Sequence, residues 1–387
     1  MKLRRCLIFI VGVSMVFNNM TFLPNYSLGL LASAFYFLVM SPYIPSLGKL
    51  GRRYGGFVWT LLIFVLLRTY INIMNYCGLN TPIFPFTNFM CILLMYFMLI
   101  HGLKDRKALN ICLYGIAFGG ILMAILHTMG IGIRIGADYR ISMFGENANS
   151  LGIYMDLSSI VILNYFILND EFKMKKWRYL WFLAFVPIAN LLIATGSRVA
   201  FISFALSVVA IILFHPAGSK SGKLFLLVVG ILASAYTVNT LINTDSVIIR
   251  RLTDTIETGN VSGRDEITEK LLPYVAKSPV LGYGDTGYEE VSKAAFGKPS
   301  SPHNVIVELL LLTGIVGLLL WLVFWYNLGK EAWILFKKKR LLMAGILLIP
   351  ILGNILSAQI LEHKFAYIIY AYVMVEYFYY KNSQLSK

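Results

Sequence analysis

Long apolar segments recur along most of this chain and restrict it to one kind of fold. Hydrophobic residues make up 58% of the 387 residues, only 14% are charged, and the mean hydropathy is +0.71. This composition is too apolar for a water-soluble globule of this size. The segments approach the ~20 residues of a membrane-spanning helix and lack the alternation of an outer-membrane barrel. The sequence therefore predicts an all-α, polytopic membrane protein.

The chain is expected to cross the membrane about twelve times, which puts both termini on the same side. The predicted spans are 6–22, 28–44, 57–74, 83–103, 108–129, 150–168, 179–196, 198–214, 224–242, 305–328, 341–361 and 365–380. Outside one long polar segment, Lys and Arg are distributed 22 to 4 in favour of the side that holds the termini. The positive-inside rule makes that side cytoplasmic. The net charge of +15 thus reflects topology and gives no reason to infer nucleic acid.

A polar segment at residues 243–304 divides the chain into three parts. Residues 1–242 would form the first nine spans with short loops. Residues 243–304 would form a long loop on the outer face, and residues 305–387 the last three spans and a cytoplasmic tail. Because the cytoplasmic loops are short and basic, any chemistry is expected on the outer face.

The long outer loop is expected to contain short helical structure. Ser262 has the position of an N-cap for a helix ending near Lys277. The helix would carry an apolar stripe of Ile267, Leu271 and Val275. It would lie on the bilayer or roof a cavity. Residues 282–288 are expected to form a turn and loop, with two tyrosine rings available to stack on sugars.

Motifs for nucleotides, zinc and disulfides are missing from the sequence. The four cysteines show no C-x-x-C spacing, which argues against a zinc site or a disulfide framework. Neither a G-x-x-x-x-G-K-[ST] loop nor a strand-borne G-x-G-x-x-G is present. ATP-driven transport and nucleotide-sugar chemistry on the inner face therefore lose support.

His303 is the first candidate for chemistry. Pro302 and Asn304 flank it directly before the tenth predicted span, so we expect it in the opening turn of that helix. The positive end of the helix dipole disfavours an imidazolium, and a neutral imidazole can accept a proton from a hydroxyl. The alternative is a histidine that caps the helix or faces lipid headgroups.

Arginines on the outer face form a second group of candidates. Their planar guanidinium groups suit phosphate oxygens, with snorkelling or a solvated surface pair as the alternatives. They are Arg134, Arg140, Arg198 and Arg264. The long outer loop holds seven basic and nine acidic residues, so it is poorly described as a general funnel for anions. A diphosphate site would need arginines that converge from separate loops.

Four charged residues fall inside predicted spans, where charge is costly and often functional. Asp156 and Glu308 lie near the outer ends of their spans and are expected to line one cavity. Asn304 and Glu308 share a helix face at i, i+4. Arg68 is expected to snorkel or pair with an acid, and Glu376 to reach cytoplasmic water.

Several short fragments, in this order, resemble landmarks of the O-antigen ligase and polymerase superfamily. They are Glu146-Asn147-Ala148-Asn149, Thr195-Gly196-Ser197-Arg198, Ser262-Gly263-Arg264, the stretch from Ser278 to Gly284, His303-Asn304 and the stretch from Thr313 to Leu318. Each fragment is short, and their specificity comes from order and sidedness. The resemblance covers roughly residues 130–330.

The resemblance implies a GT-C-like membrane glycosyltransferase on the outer face of the bacterial cytoplasmic membrane. Its donor and acceptor would be glycans linked to undecaprenyl pyrophosphate, and transfer would invert the anomeric carbon without metal or cofactor. His303 would be the catalytic base, with Arg198 and Arg264 binding the diphosphate. Arg134, Arg140, Asn304 and Glu308 would be further substrate-binding residues. The implied partners are the bilayer and proteins of the chain-length regulator and flippase types.

Three functional alternatives stay open on the sequence. Polymerases join repeat units, whereas ligases move a finished chain onto a lipid A core or a protein. Ten residues separate Arg134 from Gly145, a spacing known from some polymerases, and with the greater variety of polymerases it slightly favours that branch. A transporter of lipid-linked glycans would suit the charges inside the spans. A structural membrane scaffold is the third alternative.

Overall fold

The computed structural model is almost entirely helical across the residues that it describes. These are 2–23, 26–46, 55–76, 82–136, 139–167, 178–214, 264–338, 346–353 and 360–385, with five isolated positions between 247 and 257. The α-helices are α1 Lys2–Val16, α2 Leu28–Met40, α3 Gly55–Met74, α4 Phe86–Lys104, α5 Lys107–Thr128, α6 Ala148–Val161, α7 Phe185–Ala194, α8 Arg198–Phe214, α9 Arg264–Lys277, α10 Gly284–Phe296, α11 Val305–Lys337, α12 Leu348–Gly353 and α13 Lys364–Leu385.

Short elements of other types extend or connect these helices. Three 3-10 segments, Ser41–Ser46, Arg178–Ala184 and Ile360–Glu362, lie next to α2, α7 and α13, and a π-helical turn, Ile162–Ile167, continues α6. Two small antiparallel pairs of strands precede α2 and α6. They are β1 Thr21–Leu23 with β2 Tyr26–Ser27, and β3 Ile133–Ile135 with β4 Ile141–Met143.

The structure confirms the predicted class, an all-α membrane protein. Among the described residues, five helical segments are long and apolar enough to cross a membrane. They are Leu28–Pro45, Phe86–Lys104, Lys107–Thr128, Ala148–Ile167 and Val305–Lys337. Every predicted span but one contains helical residues, and the exception, 224–242, lies outside the described part of the chain. The number of twelve spans and the cytoplasmic side of the termini stay predictions.

Close helix crossings rely on small residues, as membrane bundles commonly do. At the crossing of α1 and α5, a Cβ added to Gly12 would lie 2.1 Å from the carbonyl oxygen of Cys112. A Cβ on Gly115 would lie 2.3 Å from the carbonyl oxygen of Phe9. The two backbones therefore touch at a distance that no larger residue permits.

The charged residues inside the bundle are paired more closely than the sequence indicated. Glu376 is only 2% exposed and accepts a 2.8 Å bond from Nη2 of Arg106, so its predicted position in cytoplasmic water is wrong. The long side chain of Arg106, between α4 and α5, covers the carboxylate. Asp156 on α6 accepts a 2.6 Å hydrogen bond from the hydroxyl of Ser203 on α8. Its shared cavity with Glu308 stays a prediction.

The predicted helix in the long outer loop is confirmed as α9, which ends at Lys277. Its proposed cap, Ser262, lies outside the described residues. The turn and loop predicted for 282–288 is wrong from Gly284 onwards, where α10 begins. A Cβ on Gly284 would lie 2.4 Å from Oδ1 of Asn72 on α3. This glycine permits close approach to another helix, a role that its sequence neighbourhood does not distinguish from a turn.

Candidate functional site

The outer loop folds down onto the beginning of α11. Leu271 of α9 and Val291 of α10 pack with Val307 and Leu311 of α11 in a small apolar cluster, and the remaining residues of the predicted stripe are partly buried around it. The stripe therefore faces another helix of the protein. Of the two predicted positions for α9, on the bilayer or as a roof, the structure favours the roof.

The loop between α9 and α10 pairs with a break in α11. Gly314 has φ 61° and ψ −163°, which interrupts the helix and frees backbone groups on both sides. The carbonyl of Leu311 accepts a 2.6 Å bond from the N–H of Tyr283, and the N–H of Ile315 donates to the carbonyl of Pro279 at 2.9 Å. Two fragments predicted as family landmarks, 278–284 and 313–318, thus meet in space.

An ion cluster around the buried Arg68 joins α3 to the outer assembly, the group formed by α9, α10 and the beginning of α11. Arg68 is 5% exposed, and its Nε and Nη2 donate to the two carboxylate oxygens of Asp285 at 2.8 and 2.5 Å. Its Nη2 also lies 3.0 Å from Oε1 of Glu362. Asn72, one turn along α3, donates to Asp285 at 2.8 Å and accepts from the N–H of that residue at 2.6 Å. Of the two positions predicted for Arg68, pairing with an acid is confirmed.

Asp285 is ionised in this setting. Burial alone raises the pKa of a carboxyl group, but here the charge of Arg68 and hydrogen bonds from Arg68 and Asn72 outweigh it. The pKa of Asp285 therefore lies below its ordinary value. Because the ion pair is sheltered from water, it holds α10 against α3 more firmly than an exposed pair would.

Replacing Asp285 with Asn is expected to lower the free energy of unfolding by about 2 to 3 kcal/mol, because a buried guanidinium loses its bidentate partner. Thermal unfolding of the purified protein in detergent, followed by circular dichroism, measures the change. The control is Glu289→Gln, which removes an exposed pair with Lys293 on the same helix. That variant should cost no more than about 0.5 kcal/mol. Equal effects of the two substitutions would contradict a stabilising role for the buried pair.

The sequence predicted His303 in the first turn of α11, and this is wrong. His303 lies just outside that helix. Asn304 is the N-cap, and its Oδ1 accepts hydrogen bonds from the N–H groups of Ile306 and Val307. His303 is exposed and has φ 50°, a left-handed conformation unusual for any residue other than glycine. Asn304 takes the cap because its short side chain reaches the free N–H groups. The strained backbone of His303 is of the kind that concentrates at functional sites.

Glu308 lies one turn into α11. Its backbone N–H donates to the carbonyl of Asn304 at 2.8 Å, as their predicted i, i+4 relation requires. The residue is 9% exposed and lies within electrostatic reach of Arg68. The structure therefore associates Glu308 with the ion cluster of α3 and α10.

Arg140 and Arg198 meet at the turn between α7 and α8. Arg140 donates from Nε to the carbonyl of Thr195 at 2.9 Å and from Nη2 to Oδ1 of Asn149 at 2.6 Å. Gly196 at φ 58° completes the turn, and Arg198 opens α8 in a half-buried position. Arg140 thus fixes the backbone of the turn that leads into Arg198.

Glu146 anchors the hairpin that precedes α6. Its carboxylate accepts hydrogen bonds from the backbone N–H of Asn19 at 2.7 Å and from the side chain of Asn19 at 3.1 Å. The residue is almost fully buried. Burial raises the pKa of Glu146 to about 7, against smaller opposite effects of Asn19 and Lys364. The next residue, Asn147, caps α6 through a 2.9 Å bond from the N–H of Ser150.

The raised pKa of Glu146 predicts a pH-dependent stability. The protonated carboxyl group of Glu146 contributes its full stabilisation below the ordinary pKa of 4.5. This contribution is lost as the pH rises through about 7. The loss amounts to about 3 kcal/mol. Thermal unfolding at about pH 5 and about pH 8 should therefore show a larger difference in the wild type than in Glu146→Gln. Glu290→Gln, at an exposed position of α10, serves as control. The same pH difference in Glu146→Gln and the wild type would contradict the assignment.

The remaining predicted arginines lie on two different elements. Arg134 is exposed on β3, where its carbonyl accepts a 3.2 Å bond from the hydroxyl of Ser142. Arg264 is the first residue of α9, and its side chain lies outside the described part of the structure. Since α9 packs on α11, Arg264 and His303 belong to the same outer assembly. Arg198 and Arg140 belong to the α6 to α8 part of the molecule.

Asp285, Asn72 and Glu362 do not follow from the sequence, although with Arg68 they form a hydrogen-bonded polar cluster among the described residues. Asn72 follows Arg68 by four residues, so an i, i+4 polar pair on an apolar helix was a usable signal. Asp285 lies next to glycines in a segment that the sequence predicts to be a turn and loop, so its pairing with a helix was not expected. Its partner is 217 positions away in the chain.

A match to a known protein family covers part of this site. Residues 183–322 match the family model for O-antigen ligase. The match begins before α7, includes Arg198, Arg264 and His303, and ends beyond the break at Gly314. No curated protein sequence matches the chain. The match at residues 183–322 confirms the resemblance seen in the motifs to the O-antigen ligase and polymerase superfamily, whose members are glycosyltransferase-like enzymes of surface polysaccharide assembly.

Proposed function

We propose that the protein is a membrane glycosyltransferase that polymerises oligosaccharide repeat units carried on undecaprenyl pyrophosphate. The reaction takes place on the outer face of the bacterial cytoplasmic membrane, builds O-antigen or a capsular or extracellular polysaccharide, and needs neither metal nor cofactor. One observation carries the proposal: a single O-antigen ligase domain contains Arg198, Arg264 and His303. The proposed architecture is GT-C-like with about twelve spans and cytoplasmic termini.

In the proposed reaction His303 is the base. It takes the proton from the acceptor hydroxyl as the oxygen attacks the anomeric carbon of the donor, and the bond from that carbon to the diphosphate breaks. This single displacement inverts the anomeric carbon. The exposed position of His303, outside the helix and ahead of its cap, supports access by a sugar. A base so placed contributes about 10² to 10⁴ in rate.

The leaving diphosphate is proposed to bind Arg198 and Arg264, with Arg134 and Arg140 as further contacts. Guanidinium groups stabilise the negative charge that develops on the leaving group. Arg140 already uses Nε and Nη2 within the protein, which suits it to hold the turn of Arg198 as well as to add positive charge. Asn304 and Glu308 are proposed to contact the acceptor from the start of α11.

Ligase activity is the first alternative, because the matching family model is described as O-antigen ligase. The two activities differ in their products. Purified protein in nanodiscs should convert lipid-linked repeat units into a ladder of lengths if it is a polymerase. A single shifted product, seen only when lipid A core or an acceptor protein is added, would identify a ligase instead. The chain-length regulator and flippase are proposed partners of the polymerase in cells.

A transporter of lipid-linked glycans is the second alternative. A transporter would use the charged residues inside the spans, which are Arg68, Asp156 and Glu308. In the structure two of them have partners within the protein. Arg68 is held by Asp285 of the outer assembly, and Asp156 by Ser203. The two functions are separated by following labelled lipid-linked repeats across the membrane of proteoliposomes. Translocation without any new glycosidic bond would favour transport and overturn the proposed function.

A further inference from the structure

The ion cluster at the outer end of α3 holds more negative than positive charge. It contains one guanidinium, Arg68, and three carboxyl groups, which belong to Asp285, Glu362 and Glu308. Asp285 and Glu362 pair directly with Arg68, whereas Glu308 interacts with it through space without an ion pair within 4 Å among the described residues. The positive charge is therefore already matched before Glu308 is counted.

Two buried polar atoms of this cluster have no hydrogen-bond partner within the described part of the chain. They are Nη1 of Arg68, a donor, and Oε2 of Glu308, an acceptor. Both side chains are more than nine-tenths buried. Each unsatisfied buried group costs about 1 to 3 kcal/mol, so native proteins leave few of them without a ligand or water. The cluster thus offers one spare donor and one spare acceptor.

The chemistry of these two atoms selects a particular ligand group. A hydroxyl both accepts and donates a hydrogen bond, so its chemistry matches a guanidinium donor such as Nη1 of Arg68 and a carboxyl oxygen such as Oε2 of Glu308. A phosphate is negatively charged and would be repelled by Asp285 and Glu362, which outnumber the one guanidinium. Of the two substrates in the proposed reaction, the diphosphate of the donor is therefore disfavoured at this position and a neutral sugar hydroxyl is favoured.

We propose that Arg68 and Glu308 form a subsite for one hydroxyl of the acceptor sugar, an inference that rests on the proposed function. Glu308 lies about 6 Å along the helix axis from Asn304, the residue that follows His303. The subsite therefore lies about one helical turn from the residue next to the proposed base. The subsite selects the acceptor by its hydroxyl pattern, while the arginines recognise the donor.

The test uses purified protein in nanodiscs and the methyl glycosides of the sugars in the host polysaccharide, with binding followed by saturation-transfer NMR. Glu308→Leu is expected to weaken binding of the recognised glycoside at least ~10-fold, equivalent to about 1.4 kcal/mol. Glu308→Gln, which keeps an acceptor oxygen, should restore part of the affinity. The deoxy glycoside lacking the recognised hydroxyl should bind the wild type and Glu308→Leu equally.

Glu331 provides a matched control on the same helix. It is also 9% exposed, with its own Oε2 unpartnered within the described residues, but it lies near the opposite end of α11. Glu331→Leu should leave glycoside binding unchanged. Three results would each overturn the subsite. They are equal losses of binding in Glu308→Leu and Glu331→Leu, unchanged binding in Glu308→Leu, and no saturable binding by the wild type.

Transfer kinetics separate this inference from the proposed function. With lipid-linked repeat units, Glu308→Leu should raise the KM for the acceptor and leave the KM for the donor unchanged. If the wild type binds glycosides through Glu308 but joins no glycan, the proposed function fails and the subsite stands. If the wild type joins glycan and Glu308→Leu has the same acceptor KM, the subsite fails and the proposed function stands.

Discussion

Replacing His303 with Ala is expected to reduce glycan transfer by about 10² to 10⁴-fold while the protein remains folded. Ala removes the imidazole that would accept the proton of the acceptor hydroxyl. The side chain is exposed, so its loss opens no cavity in the core. Lipid-linked repeat units should still reach the outer face of the membrane, because the change affects the joining step. The measurement is the initial rate of product formation by purified protein in nanodiscs.

A second substitution at the same position separates catalysis from stability. His303 has φ 50°, a left-handed conformation that costs a residue with a Cβ about 1 to 2 kcal/mol. His303→Gly removes that strain, so it should be at least as stable as His303→Ala and equally inactive. His127→Ala, at the last turn of α5, is the imidazole control and should keep the wild-type rate. Normal transfer by His303→Gly would rule out His303 as the base.

The helical class and most helix positions follow from hydrophobicity alone. Apolar runs near 20 residues determine α4, α5 and α11 because a bilayer satisfies no backbone hydrogen bonds, so each run must form its own. The stripe of Ile267, Leu271 and Val275 predicted α9 because apolar residues at i, i+4 and i+8 share one face of a helix. These predictions depend on residues close in sequence, and the structure agrees with them.

The pairings across the molecule do not follow from the sequence. Asp285 binds Arg68 over a separation of 217 residues, and nothing local distinguishes it from the other acids of the outer loop. Gly284 lies in a predicted turn and Gly314 within a predicted span, although each permits close contact with a distant segment. The family order of motifs did indicate His303 and Arg198. It did not indicate that Arg140 holds the turn of Arg198.

Gly314 carries the contact on which the outer assembly depends, and Gly314→Ala is expected to disrupt that assembly. Its φ of 61° with ψ −163° is a conformation essentially restricted to glycine. A Cβ there would lie 2.1 Å from the carbonyl oxygen of Val280 and 2.2 Å from its carbonyl carbon. Because both neighbours are backbone atoms, the loop before α10 must move or α11 must straighten. Either change separates Asp285 from Arg68.

The expected cost of Gly314→Ala is more than about 4 kcal/mol, since steric overlap and backbone strain act together with the loss of a buried ion pair. Thermal unfolding and limited proteolysis measure it, with faster cleavage expected between α9 and α10 and a large loss of transfer. Gly329→Ala is the control, because it lies on the same helix with no atom within 4 Å of the added Cβ. That variant should be as stable as the wild type or more stable by up to about 1 kcal/mol. If Gly314→Ala were as stable as Gly329→Ala, the pairing of the outer loop with the break in α11 would not be what holds the site together.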